Sequence, residues 1–171
     1  MAELYLIANG PAPTTAAQAL VTTSATLATL LQVKLGSTLV TPRAKVVEWG
    51  VSFSGSAAAA PFKCELLTST TAATVSAHVA AGIVNLDPQA ATPTDGFPFQ
   101  LTTSTTGYTS SAEGTPAGVR MLDVQQIAPT NQYVKQWPLG REPMFEVSDY
   151  LRIRIWGDGV VTAYCYLIIE I

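Results

Sequence analysis

Few side chains in this sequence have the type and spacing that catalysis or metal binding requires. His78 is the only histidine, and Cys64 and Cys165 are the only cysteines. A zinc site needs several ligands at close spacing, such as a C-x-x-C pair, and the sequence shows no such spacing. Ser76 precedes His78 by two positions, which is not the signature of a nucleophile and its base. We therefore expect no metal and no cofactor, with His78 either at the surface or hydrogen-bonded in the interior.

Paired carboxylates are the one catalytic arrangement that the sequence leaves open, because glycosidases bring acidic residues together from distant strands. Glu48, Glu65 and Glu170 each lie on the outward face of a predicted strand. The simpler interpretation pairs them with Lys or Arg on neighbouring strands. Arg152 and Arg154 share one face and would meet carboxylates across the sheet or across a subunit boundary. We expect no enzymatic activity, with a β-sandwich glycosidase as an alternative.

The two cysteines each fall in an apolar alternating row, Cys64 between Phe62 and Leu66 and Cys165 further along the chain. This pattern predicts small buried thiols that stay reduced. A bridge between adjacent strands is the alternative, which spacing does not test.

Charged residues make up 12% of the 171 residues, against about 25% in a typical soluble domain. The net charge is −3, and the nine Lys and Arg are scattered, so we expect no nucleic-acid partner. No apolar run approaches the ~20 residues that span a bilayer, and the first residues lack the basic region of a signal peptide. We expect no membrane partner and assembly in the cytoplasm. Scarce charge is typical of a subunit that covers much of its surface with neighbours, since charges are costly to bury. It is equally compatible with a secreted-type β domain rich in Thr and Ser that simply has a neutral surface.

Alternating apolar residues predict the elements that would position these side chains. One row is Val47, Trp49, Val51 and Phe53. Near the end of the chain, residues 151, 153 and 155 form a second row and the odd positions from 161 to 171 a third. Such a period of two is typical of strands with one buried face. The residues Gly157-Asp158-Gly159 separate these last two rows and predict a tight turn, so we expect a final hairpin.

Further segments rich in branched or aromatic residues predict weaker strands over 4–8, 30–35, 62–67, 119–126, 132–137 and 144–147. Together they predict an all-β chain, a jelly-roll-type β-sandwich with long loops in a single domain over residues 1–171. Between Thr14 and Leu35 many Thr and Ser favour irregular chain followed by a strand rather than a helix. The segment from Asn85 to Gly118 reads as a long surface excursion or a mobile loop.

Contact regions are expected in the N-terminal segment 1–26 and in the excursion 85–118. Trp49 is expected in the core, whereas Trp156, Tyr164 and Tyr166 fall on the opposite face as an exposed aromatic patch. Such a patch would form a subunit contact or a carbohydrate-stacking platform. The residues that we expect to contact a subunit or a partner are Phe97, Phe99, Tyr108, Arg152, Arg154, Trp156, Tyr164 and Tyr166.

Three stretches resemble small structural proteins encoded with the virion genes of tailed phages of actinobacteria: the run Val46–Ala59, Thr106-Gly107-Tyr108 and Leu151-Arg152-Ile153-Arg154. The resemblance spans most of the chain but includes no catalytic motif. It implies a capsid decoration, or cement, protein: a jelly-roll subunit that oligomerises, often as a trimer, and binds the major capsid protein on the outside of the phage head. A carbohydrate- or receptor-binding module of a tail or cell surface is the alternative function.

Overall fold

Fifteen β-strands and one short 3-10 turn (Ala80–Gly82) form the computed structural model, which describes residues 3–39, 42–55 and 60–171. The strands in chain order are β1 (Leu4–Ala8), β2 (Val21–Thr22), β3 (Ala28–Lys34), β4 (Arg43–Ser54), β5 (Phe62–Ser69), β6 (Thr74–Ala77), β7 (Ile83–Asn85), β8 (Thr94–Asp95), β9 (Pro98–Phe99), β10 (Gly107–Ala112), β11 (Arg120–Ile127), β12 (Gln132–Gln136), β13 (Met144–Glu146), β14 (Tyr150–Trp156) and β15 (Thr162–Glu170). Residues 1–2 of the expected contact segment and 56–59 of the quoted run lie outside the described residues.

The strands build two large antiparallel sheets that face each other across one core. The seven-stranded sheet has the order β12-β4-β15-β1-β7, with β13 also paired to β4 and β2 to β15. The six-stranded sheet has the order β11-β5-β14-β3-β10-β6. The short strands β8 and β9 pair in parallel beside them. The all-β sandwich is confirmed, and the jelly-roll connectivity stays a prediction.

The two predicted rows near the end of the chain supply much of the core. In β15, Ala163, Cys165, Leu167 and Ile169 are fully buried, while the residues between them are half-exposed. In β14, positions 151, 153 and 155 are buried in the same way. Because each strand buries alternate side chains, these two rows pack toward each other from opposite sheets.

A β-bulge interrupts the predicted row of β4. Ile168 lies opposite Glu48 and Ile169 lies opposite Val46, so Val47 has no partner on β15. An extra residue in one strand reverses the parity of side chains beyond it. The row therefore faces the core as predicted from Trp49 onward, whereas Val47 is only half-buried and Val46 takes its place in the core.

The predicted final hairpin is wrong, although both of its strands exist. Strand β14 pairs with β3 on one side and β5 on the other. Strand β15 pairs with β4 on one side and with β1 and β2 on the other. Both edges of each strand are occupied, so the two cannot pair together. The turn at 157–159 instead carries the chain from one sheet to the other.

The expected surface excursion from Asn85 to Gly118 is largely docked on its own chain. It contains β8, β9 and β10, and β10 lies inside the six-stranded sheet between β3 and β6. Residues 113–117 then run beside Thr70 and Thr71, whose backbone N–H and hydroxyl donate to Ala117 and Thr115 carbonyls at 2.8 and 3.1 Å. The prediction of one long loop is wrong. Strand β10 was missed because it is rich in Thr and Ser and lacks the apolar alternation by which other strands were predicted.

Cys64 and Cys165 are both buried and free, which confirms the prediction of reduced thiols over that of a bridge between strands. They lie on β5 and β15, in different sheets. Burial raises the pKa of the Cys64 thiol to about 12 and raises that of Cys165 as well. Both side chains thus behave as small apolar residues of the core.

A polar clasp closes one side of the sandwich, where β11 and β12 form the edges of the two sheets. The Asp123 carboxylate on β11 accepts hydrogen bonds from Trp49 Nε1 at 3.1 Å and from the Tyr133 hydroxyl at 2.9 Å, and Lys135 Nζ lies 3.3 Å away. Burial raises the pKa of Asp123, but hydrogen bonds from Gln125 and Tyr133 and the Lys135 charge outweigh it, so the pKa lies below its usual value. Inward-pointing charges on edge strands also discourage pairing with another chain.

Replacing Asp123 with Asn is expected to lower the free energy of unfolding by about 1–3 kcal/mol at pH 7, because the clasp loses its charged acceptor. Since the folded pKa is depressed, the stabilisation by Asp123 is present above its unfolded pKa of about 3.9 and is lost as the pH falls through the folded pKa. Urea unfolding of both proteins from pH 7 to pH 2.5 measures this. The gap between them should close at the acid end, and the exposed Asp158→Asn is the control. An equal gap at every pH would contradict the clasp.

Candidate interaction surface

Two of the eight expected contact residues lie in the interior of the chain. Phe99 is fully buried and packs edge-to-face on Tyr5 at 5.4 Å between ring centroids. Arg152 is fully buried as well: its guanidinium donates to the Thr29 hydroxyl at 2.8 and 3.1 Å and pairs with the Glu113 carboxylate. For these two, the expectation of an exposed contact is wrong. The segment at 113–117, which sequence alone did not place, covers the outer side of Arg152.

Arg154 and Trp156 lie further along β14 on the outer face of the six-stranded sheet. The Arg154 guanidinium donates to Glu65 Oε2 at 2.5 Å on the adjacent β5, and Lys63 Nζ lies 2.7 Å from the other oxygen of that carboxylate. Arg154 thus meets a carboxylate across the sheet, which is one of the two alternatives expected. Trp156 is 44% exposed and lies opposite Lys63.

Phe97 and Tyr108 occupy separate places on the excursion. Phe97 is 37% exposed, whereas Tyr108 is half-buried on β10 and packs against the His78 ring at 5.2 Å between centroids. His78 itself is buried, and its Nε2 lies 2.7 Å from the Ala8 carbonyl oxygen. Burial lowers the pKa of His78, so the ring is neutral at pH 7 and donates from Nε2. The lone histidine joins β1 to the six-stranded sheet.

Tyr164 and Tyr166 lie side by side on the outer face of the seven-stranded sheet, with ring centroids 6.0 Å apart and 35° between their planes. Tyr166 reaches across β4, where a Cβ on Gly50 would fall 2.4 Å from its ring. Its hydroxyl donates to Glu48 Oε1 at 2.5 Å. Burial and this hydrogen bond raise the pKa of Tyr166. Trp156 lies on the other sheet, so the expected patch of all three rings is wrong.

An aliphatic row that sequence reasoning missed continues this outer face across β15, β1 and β7. Leu6 lies opposite Ile168 on one side and Val84 on the other. Leu4 lies two residues before Leu6 on the same face of β1. The Leu86 N–H donates to the Leu4 carbonyl oxygen at 2.9 Å. Val84 and Leu86 are 40% and 43% exposed. We call these five residues the aliphatic patch.

Two apolar runs in the sequence indicate the aliphatic patch. The runs Leu4–Ala8 and Cys165–Ile169 are apolar at every position, without the polar alternate residues of a strand that faces water. Continuous apolar runs are typical of strands covered on both faces. In the structure only one face of β1 and β15 is covered by the core. On the other face, Pro11, Pro13 and Gln18 lie beside Leu6 and Val84 and cover the patch only in part. Partly exposed apolar surfaces of this kind are typical of sites of protein contact.

The three candidate carboxylates do not form one site. Glu65 lies on the six-stranded sheet between Arg154 and Lys63, whereas Glu48 and Glu170 lie on the seven-stranded sheet. Glu170 pairs with Lys45 of β4. Within the described residues, no group of His, Cys, Asp and Glu side chains is placed to hold a metal ion. In the same part of the chain, no helix has the length and apolar character needed to cross a membrane.

Comparisons with protein-family models, with curated proteins and with solved structures returned no match. The resemblance to phage virion proteins therefore stays a prediction.

Replacing Gly50 with Ala is expected to displace the Tyr166 ring, because the added Cβ would stand 2.4 Å from it. Forced repacking of this kind costs about 1–3 kcal/mol of stability. Near-ultraviolet circular dichroism and the tyrosine ring signals in NMR spectra report the ring's environment. In the control Gly159→Ala, a Cβ has nothing within 4 Å and both spectra should stay unchanged. Unchanged spectra and stability in Gly50→Ala would contradict this placement of Tyr166.

Proposed function

We propose that this chain is a structural subunit that assembles with copies of itself through the aliphatic patch. The observation that carries the proposal is the patch itself, since Leu6, Val84 and Ile168 are aligned on an outer sheet face where water-facing residues are normally polar. Covering such a surface removes apolar area from water, which is the main driving force of association.

The electrostatics of this face favour a second copy as the occupant. The five residues of the patch are all aliphatic. Among the carboxylates beside the patch, Glu170 pairs with Lys45, and Glu48 and Glu3 accept hydrogen bonds from the Tyr166 and Tyr5 hydroxyls. Asp87, which follows Leu86, accepts a hydrogen bond from the Gln89 N–H but has no ion-pair partner among the described residues. Two identical copies therefore meet over an aliphatic surface on which most neighbouring carboxylates are engaged within each chain, which favours a self-complementary contact. The low share of charged residues, 12% of the chain, also agrees with a surface that is covered in the assembly.

In the cell, we propose that the assembled subunit is a capsid decoration protein of a tailed phage, located on the head surface and bound to the major capsid protein. The resemblance of the sequence supports the phage assignment, and the two-sheet sandwich suits the jelly-roll subunit that it implies. Such a protein adds binding energy across capsid subunits without chemistry of its own. A trimer is the oligomer that this resemblance favours.

Replacing Val84 with Lys is expected to dissociate the oligomer, because it places a charge in the middle of the aliphatic patch. Light scattering coupled to size-exclusion chromatography measures the mass of wild type and variant. Val124→Lys is the matched control, since Val124 is 42% exposed on the outer face of the other sheet against 40% for Val84. The control should keep the wild-type mass. A wild-type protein that is monomeric at every concentration, or a Val84→Lys oligomer, would overturn assembly through this patch.

Binding to phage heads tests the second part of the proposal. Purified heads without decoration protein should carry the added wild-type chain to the pellet on sedimentation, at a fixed ratio to the major capsid protein. Val84→Lys should bind at least tenfold more weakly if oligomerisation supplies avidity. The heads must come from the phage that encodes the chain. If wild-type oligomers then stay in the supernatant, the decoration role is rejected and the chain is only a self-associating protein.

A further inference from the structure

A groove runs over the half of the outer face of the seven-stranded sheet toward β12, beside the aliphatic patch. It consists of two adjoining depressions that share Ser52 of β4 and Gln132 of β12. One, of about 340 Å³, extends to Thr130 and Asn131 in the turn before β12. The other, of about 210 Å³, extends to the rings of Tyr164 and Tyr166. Both depressions are open to solvent, so a ligand would lie along a shallow surface rather than inside an enclosed pocket.

The polar groups of the groove are all uncharged. Hydroxyls of Ser52 and Thr130 and side-chain amides of Asn131 and Gln132 line it. None of the described residues that line either depression is Asp, Glu, Lys, Arg or His. Amides and hydroxyls both donate and accept hydrogen bonds, and therefore match a ligand rich in hydroxyl groups. The charge beside the groove is the Glu48 carboxylate, which is engaged by the Tyr166 hydroxyl.

The two tyrosine rings give the groove an aromatic wall. Their centroids are 6.0 Å apart and their planes are tilted by only 35°, so the rings form a nearly continuous surface. Tyr166 is held in place by Gly50 beneath its ring and by Glu48 at its hydroxyl. A fixed ring loses little conformational entropy when a ligand stacks on it. The C–H faces of sugar rings are apolar and pack on such surfaces.

We propose that this groove binds a neutral oligosaccharide, with sugar rings stacked on Tyr164 and Tyr166 and their hydroxyls hydrogen-bonded by Gln132, Asn131 and Ser52. The ligand class follows from the combination of aromatic wall, amides and hydroxyls without charge. A second copy of the chain fits the groove less well than the aliphatic patch, because its floor is polar. The site does not depend on the proposed position on a phage head, although Tyr164 also borders the aliphatic patch, where it lines a depression with Leu6 and Val84.

The test uses the full chain and defined probes: maltohexaose, cellohexaose, the hexamer of N-acetylglucosamine, and laminarihexaose. Chemical-shift perturbation in NMR spectra locates binding, and titration measures its affinity. We expect at least one of these neutral hexamers to shift signals of Gln132, Tyr164 and Tyr166. Tyr166→Ala and Gln132→Ala should each weaken that binding at least tenfold. Gln132 is exposed, so its replacement keeps the test valid if Tyr166→Ala fails to fold.

Two control variants separate this site from the rest of the surface. Trp156→Ala removes an exposed ring from the opposite sheet and should leave the sugar affinity unchanged. Leu86→Lys lies on the aliphatic patch but outside the depression that Val84 shares with Tyr164, and should also bind sugar as the wild type does, even if it dissociates the oligomer. The proposal is overturned if none of the four hexamers binds, if a sulfated or uronic-acid oligosaccharide binds in their place, or if Gln132→Ala dissociates the oligomer while no sugar binds.

Discussion

The burial of alternate residues of β14 and β15 in one core between the sheets is the constraint on which the rest of the structure depends. Both strands bury alternate residues completely, and each is central in its own sheet. Because both edges of each strand are taken, every other large strand is ordered around them. The turn between them therefore connects the two layers, which holds the sheets together covalently at one end while the Asp123 clasp closes one side.

The two outer faces are treated differently, and this difference carries the functional argument. The six-stranded sheet covers part of its outer face with its own chain, since Glu113 engages the Arg152 guanidinium through its carboxylate and its backbone carbonyl. A buried guanidinium needs such partners, because an unpaired buried charge is costly. On the seven-stranded sheet, Pro11, Pro13 and Gln18 lie beside Leu6 and Val84, but Val84 and Leu86 stay 40% and 43% exposed. This face therefore keeps exposed aliphatic side chains, which are typical of protein-contact surfaces.

The open face itself is divided by chemistry. Toward β7 it is aliphatic, around Leu6 and Val84, and suits another protein surface. Toward β12 it is aromatic and polar, around Tyr166 and Gln132, and suits a hydroxyl-rich ligand. Glu48 lies between the two halves and orients Tyr166 through its hydroxyl. The separation lets assembly and ligand binding be tested by different substitutions.

The sequence by itself determined nine of the fifteen described strands and most of their buried sides. Alternation identified β14, β15 and most of β4, and branched or aromatic segments identified β1, β3, β5 and β11 to β13 within a few residues. This information is local, because the side-chain period of a strand is a property of consecutive residues. Strand β10 was not predicted, because its Thr and Ser residues do not form an alternating apolar row.

Only the tertiary structure decided which strands pair and which outer residues are covered. The same two rows and turn at 150–171 are compatible with a hairpin or with a crossing between sheets, and the choice depends on β3, β5, β1 and β4 as neighbours. Likewise, Arg152 and Trp156 share one face of β14. Arg152 is buried and pairs with Glu113, which is distant in sequence, whereas Trp156 stays exposed. Pairing and coverage join residues far apart in the chain, so no local pattern records them.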